Sequence, residues 1–235
     1  MKSFVTTILA IAFFTLALFA GPAAAQDKAG AAPQNSGFLG DYARLTPNPD
    51  NPKLKRWINK DFDFKPYTQI LLDPVEVWVS PTSQYKGASP DVLKRMADNF
   101  TASFKKALQP GYTLVDKAGP GVLHIRLAIT GINLVDPASK PADFLPVVFL
   151  FRAASGAMSA KDVVMTAEMQ LLDPGNVVVA AALATGTADK TVEEKATITW
   201  KDLQSISDKW AAGLRNGLDV ARGIAPKPAA GAQKK

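Results

Sequence analysis

Ile70-Leu71-Leu72-Asp73-Pro74-Val75-Glu76-Val77-Trp78-Val79 is the first dense run of β-branched and aromatic residues after the N-terminal leader, and it predicts a strand. Pro74 removes one ladder donor, so an edge position or a bulge is expected there. A helix is announced directly downstream by Ser89 as N-cap, Pro90 at the first helical position and Asp91 in the first turn. Val92, Leu93, Met96, Phe100, Phe104 and Leu108 recur three or four residues apart and form one apolar stripe, which Gln109-Pro110-Gly111 ends. A strand followed at once by an amphipathic helix gives the frame against which every later strand is placed.

Beyond that pair, Tyr112 to Asp116 predicts a short strand, and Val122 to Val135 the strongest strand in the chain. Its Leu123, Ile125, Leu127 and Ile129 alternate with His124, Arg126, Ala128 and Thr130, so one face is apolar and the other more polar. Val163 to Leu172 and Val177 to Thr187, joined by Asp173-Pro174-Gly175-Asn176, predict a hairpin. A symmetric turn would set Met165, Ala167, Met169 and Leu171 opposite Ala184, Ala182, Ala180 and Val178, large rows meeting small ones. Thr199-Trp200-Lys201-Asp202 fits a capping box with Asp in the third position and opens a last helix striped by Leu203, Ile206, Trp210, Leu214, Leu218 and Ala221. The expected fold class is α+β: a mixed, mostly antiparallel sheet of about five strands with two long helices packed on one face.

The ends carry their own signals. Residues 1–25 have a charged start at Lys2, an uncharged apolar run from Phe4 to Phe19 and the small-residue pattern Ala23-Ala24-Ala25, which together predict a secretory signal peptide. Residues 26–35 predict a flexible linker, 36–225 a single domain and 226–235 a disordered basic tail. Within the domain, residues 36–68 are expected to lie as an extended aromatic arm over the core. The three prolines Pro47, Pro49 and Pro52 argue against regular structure in that arm. Residues 136–162 are expected to form an apolar insertion loop, too long for an ordinary connection. The expected location is across the inner membrane: periplasmic, with an outer-membrane association left open.

Charge narrows the partners. The chain carries 27 basic and 21 acidic side chains, yet residues 26–225 hold 23 and 21, a net of +2. Most of the excess therefore sits in leader and tail, which speaks against a nucleic-acid partner and allows a peripheral membrane contact. No cysteine and a single histidine, His124, make disulfides and transition-metal sites poor expectations, and no cofactor is expected. Asn59-Lys60-Asp61-Phe62-Asp63-Phe64 begins like a calcium loop but has Phe64 where the turn needs glycine and Ile70 where a bidentate Glu belongs. No nucleophile elbow, phosphate loop or dinucleotide fingerprint is present, so no catalytic residue is assigned and the chain is expected not to be an enzyme.

Two groups of residues remain as binding candidates. The first would meet a partner through the apolar patch Phe144, Leu145, Val147, Val148, Phe149, Leu150 and Phe151, together with the arm aromatics Phe38, Tyr42 and Trp57. The second would line a small-ligand pocket between sheet and helices with Trp78, Met165 and Met169.

Ser36-Gly37-Phe38-Leu39-Gly40-Asp41-Tyr42, Leu72-Asp73-Pro74-Val75-Glu76-Val77-Trp78, Gly119-Pro120-Gly121-Val122-Leu123 and Lys209-Trp210-Ala211 resemble motifs of one family. It is the bacterial envelope proteins catalogued as domain of unknown function 3313, many of them lipoproteins. The resemblance implies an exported single-domain protein and brings no catalytic residues. This chain departs from the lipoprotein members in lacking the lipidated cysteine. The expected role is a non-enzymatic interaction module for an unidentified envelope or peptidoglycan-associated partner. A periplasmic small-ligand binder and a hydrolase of unrecognised type are the alternatives.

Overall fold

The computed structural model describes residues 35–78, 90–135, 160–193 and 198–225. The leader, most of the linker, the basic tail and the apolar run Phe144 to Phe151 lie outside them, as does Ser89. The strands are β1 (Thr46–Asn48), β2 (Asn51–Ile58), β3 (Gln69–Leu72), β4 (Glu76–Val77), β5 (Thr113–Leu114), β6 (Val122–Val135), β7 (Ala160–Leu172) and β8 (Val178–Glu193). The helices are α1 (Pro90–Leu108) and α2 (Trp200–Ala221). Eight strands form one sheet in the order β1-β2-β8-β7-β6-β3-β5, with β4 continuing the line of β3 along β6. The fold is α+β as expected, with eight strands rather than about five.

Antiparallel pairing joins β1 to β2, β2 to β8, β8 to β7 and β7 to β6, whereas β3, β4 and β5 add in parallel. Pro74 interrupts the first predicted strand, and Asp73-Pro74-Val75 separates β3 from β4. The Val75 N–H freed by that break is received by Thr101 Oγ1 of α1 at 2.8 Å, and the same hydroxyl donates to Ala97 O at 2.8 Å. A helix side chain thus replaces the missing ladder partner.

The main core lies between the sheet and the helices. Met96, Phe100, Phe104 and Leu108 of α1 and Leu203, Ile206, Ala211 and Leu218 of α2 meet Leu123, Ile125, Leu127 and Ile129 of β6 there. In β6, Thr130 is an extra residue between Ile129, opposite Ala167, and Gly131, opposite Thr166. That bulge shifts the side-chain phase by one, so Ile132 and Leu134 join the core after Ile129. In α2 the Asp202 carboxylate accepts from Thr199 N at 2.8 Å, as the capping pattern predicts, and also from Thr199 Oγ1 at 2.7 Å.

Three expectations are corrected. The β7–β8 register differs from the symmetric reading by two residues: Met165, Ala167, Met169 and Leu171 oppose Gly186, Ala184, Ala182 and Ala180. Asn176 with φ of 62° widens the turn to five residues, and a bulge between Leu171 and Leu172 takes up the difference. Because the offset is even, every side chain keeps its predicted face. The arm is also not irregular throughout, since Asn51–Ile58 is a full sheet strand. Its Pro47 and Pro52 are tolerated at the sheet margin, where only the three residues of β1 lie outside β2. The insertion ends earlier than expected, because β7 already begins at Ala160.

Candidate functional site

The sheet face turned away from the helices carries the polar rows of β6 and β7, and the segment Ser36–Leu45 crosses it. Gly37 and Gly40 hold φ of 92° and 71°, left-handed values that let the chain turn tightly enough to bring Tyr42 back beneath it. The phenol of Tyr42 is the hub. It receives the N–H groups of Gly37 at 3.0 Å and Leu39 at 3.3 Å, lies 3.1 Å from Ser36 Oγ, and donates to Glu168 Oε2 at 2.6 Å. Ser36 Oγ in turn receives Phe38 N–H at 3.1 Å.

Around this hub the rest of the polar face is tied to the same segment. Gln170 Nε2 donates to Leu39 O at 3.1 Å, and Trp78 Nε1 donates to Ser36 O at 2.7 Å. Arg126 donates to Gln170 Oε1 at 3.3 Å and Glu76 Oε1 at 3.2 Å while its guanidinium lies 5.1 Å from the Phe38 ring centroid. Phe38 meets Trp78 edge-on at 5.5 Å, and Phe38, Leu39, Ala128 and Ala181 form a second, smaller buried cluster. The segment is a clasp, closed by apolar contacts at its centre and by hydrogen bonds on both sides.

Glu168 is fully buried beneath the clasp. Burial raises its carboxyl above the ordinary glutamate range, and the hydrogen bonds from the clasp, Tyr42's first, oppose that rise only in part. Burial, and then the Glu168 carboxylate, push the Tyr42 phenol up as well. Glu168 Oε1 and the neighbouring Thr130 Oγ1 have no hydrogen-bond partner of good geometry.

Beside the clasp, His124 Nε2 stands 2.8 Å from Asp73 Oδ2, but off the direction a hydrogen bond requires. With Arg126 4.0 Å from the same carboxylate, these groups make a mixed charge cluster at the strand break. A histidine beside an aspartate is one part of a nucleophile-activating array, and among the described residues neither His124 ring nitrogen has a hydrogen-bond partner. Among the described residues no group of three or more His, Cys, Asp or Glu is arranged to hold a metal.

The sequence candidates are thus distributed over both faces. Phe38 is 5 % exposed and turned onto the sheet, Tyr42 is committed to Glu168, and Trp57 is half-buried with the Arg44 guanidinium 4.5 Å from its ring. These three are anchors of the arm rather than a free aromatic surface, because the sheet face beneath them is itself apolar at Ala128 and Ala181. Met165 and Met169 sit on the helix side in the main core, whereas Trp78 belongs to the clasp cluster, so the three do not line one pocket. A hollow of about 20 Å³ between Leu39, Asp41, Arg44, Leu45, Trp57, Val178 and Ala181 has room for a single water. Sequence reasoning missed Glu168, Gln170 and Arg126 as clasp partners. Their alternation marked a polar face and carried no sign that residues 126 positions upstream would cover it.

The clasp, the β3–β4 break, the glycine turn before β6 and most of α2 all fall within residues 34–214, which match the model of the family described as protein of unknown function (DUF3313). The chain belongs to the DUF3313 family. The uncharacterized lipoprotein YdcL of Escherichia coli (strain K12) is 29 % identical over 127 residues, 53 % of this chain and 55 % of that protein. The same match is found in YdcL of Escherichia coli O157:H7, so the chain spans about half the length of the curated relatives it matches. Among solved structures, the PelC dodecamer from Paraburkholderia phytofirmans is similar with a TM-score of 0.36 and 10 % identity, covering 68 % of this chain and 96 % of that one. A DUF4136 family protein from Bacteroides thetaiotaomicron gives 0.37 and 10 %, covering 76 % and 97 %.

Proposed function

We propose that this DUF3313 protein is an exported cell-envelope protein, periplasmic and non-enzymatic, that serves as an accessory module binding another envelope component. One observation carries the non-enzymatic part. The groups that most resemble catalytic machinery, the buried Glu168 with Tyr42, Ser36 and Gln170, are bonded to one another or to the clasp backbone. Their chemistry is used in closing the clasp, and the exposed surface is left for binding. The leader-like residues 1–25 and the lipoprotein relative support the compartment.

The test has two arms. Cells expressing the full chain are fractionated, and photo-crosslinking residues are placed at exposed positions of the β1–β2 hairpin and at Phe149. Recovery in the periplasmic or outer-membrane fraction, with a discrete crosslinked band, is the expected result. Recovery in the cytosol would overturn the compartment. Turnover of an envelope substrate that disappears in a folded E168Q variant would overturn the non-enzymatic role.

A further inference from the structure

The cationic side chains of the folded region are unevenly placed. The stretch Asn51-Pro52-Lys53-Leu54-Lys55-Arg56-Trp57-Ile58-Asn59-Lys60 carries four cations and no acid, while residues 26–225 as a whole are only +2. Without those four the same region would hold 19 basic and 21 acidic side chains, a net of −2. This acid-free run places three cations on β2, Lys53, Lys55 and Arg56, and a fourth, Lys60, two residues past its end, with Asp50, Asp61 and Asp63 as the nearest acids in sequence.

The geometry keeps these charges available. Lys53, Lys55 and Lys60 are exposed, and among the described residues Lys55, Arg56 and Lys60 form no ion pair. Lys53 donates to a hydroxyl, Thr187 Oγ1, at 3.1 Å. Strand alternation sends Lys53 and Lys55 to one face of the hairpin and Arg56 to the other, so cations flank the sheet margin on both sides. Ile58, at 42 % exposure, adds an exposed apolar residue on the face of Arg56. The adjoining hollow, about 20 Å³, is too small to seat a discrete ligand. A cationic margin with an apolar residue, beside so small a hollow, suits a flat, laterally extended anionic surface better than a shaped ligand.

We propose that the β1–β2 hairpin, with Lys60 just beyond it, is a membrane-adhesion surface, docking onto anionic phospholipid headgroups through Lys53, Lys55, Arg56 and Lys60. The proposal deepens the envelope reading and rests on it for the compartment, while adhesion itself is read independently of export.

The protein recovered in soluble form is sedimented with vesicles of phosphatidylcholine alone and of an equal mixture of phosphatidylcholine and phosphatidylglycerol. Binding is expected only to the mixed vesicles and is expected to weaken with added salt. The K55Q/K60Q variant should partition roughly twenty-five-fold more weakly, about fivefold per lysine lost. Neutralising Lys234 and Lys235 in the tail should have the smaller effect. Equal binding of K55Q/K60Q and wild type, or loss only with the tail lysines, would overturn the proposal. So would hairpin-dependent binding to an acidic polysaccharide or protein without any to the mixed vesicles. Vesicle binding by a chain found in the cytosol would leave adhesion intact and remove the envelope reading, so the two failures are distinguishable.

Discussion

Tyr42→Phe removes a single oxygen, and the clasp predicts a large effect from it. That oxygen donates to a fully buried carboxylate at 2.6 Å and receives two backbone N–H groups at 3.0 and 3.3 Å. A hydrogen bond to a charged partner contributes about 1.5–3 kcal/mol, and a half-buried donor left unmet adds up to roughly 1 kcal/mol. The Gly37 N–H is exposed and recovers its bond from water, so it adds little. The expected destabilisation is therefore about 3 kcal/mol, and in a domain of this size it should lower Tm by roughly 6–12 °C. Urea unfolding of wild type, Y42F, E168Q and the double variant measures the coupling directly. With Glu168 neutral and the charged bond gone, Y42F should cost only about 1 kcal/mol, a coupling of about 2 kcal/mol between residues 126 positions apart. Additivity of the two substitutions to within about 0.5 kcal/mol would refute the clasp as a coupled unit.

Further expectations follow from the same geometry. Because the Glu168 carboxyl titrates above its unfolded value of 4.5, its stabilising contribution is complete below that value and is lost as pH rises through the folded one. The stability of wild type relative to E168Q should therefore fall from weakly acidic to neutral pH, and a rise over that range in paired denaturation curves would contradict it. At Gly186 an added Cβ would stand 2.5 Å from Ile206 Cγ2 and 3.0 Å from the Trp210 ring, so G186A should cost about 1–3 kcal/mol in urea unfolding. Thr101→Val should cost about 1–3 kcal/mol by orphaning the Val75 N–H at the proline break. A T101S variant that keeps the hydroxyl should stay within about 1 kcal/mol of wild type, and equal losses for Val and Ser would point away from the hydrogen bond.

Local periodicity revealed the elements whose burial repeats in sequence. β6, the β7–β8 hairpin and both helices carry their apolar rows at regular spacing, and the structure buries those rows. β2 was hidden because Asn51–Ile58 has a proline, three cations and only Leu54, Trp57 and Ile58 as bulky apolar residues, a composition that resembles a loop. Its place is set by cross-strand pairing with the alanine row of β8, from Leu54–Ala184 to Ile58–Ala180. The register of β7 and β8 was off by two because Asn176 and the adjoining bulge lengthen the turn, a detail that side-chain alternation does not encode. The clasp was legible only by half. The motif from Ser36 to Tyr42 stood out, with two glycines and two aromatics, but its partners Glu168, Gln170 and Arg126 looked like ordinary solvent-facing residues of amphipathic strands. A carboxylate is expected at the surface unless something covers it. Here the cover comes from the other end of the domain.

Amide hydrogen exchange at Phe38 and Leu39 tests most directly whether the polar face of the sheet exists to hold the clasp. Their N–H groups donate to Ser36 Oγ and Tyr42 Oη rather than to any helix or strand. The account predicts slow exchange at both, and exchange at least tenfold faster at both in Y42F while Leu123 and Ile125 of β6 stay protected. Rapid exchange at Phe38 and Leu39 in the wild-type protein would mean that the clasp is open in solution, leaving Glu168, Tyr42 and Gln170 free for chemistry that the account denies them.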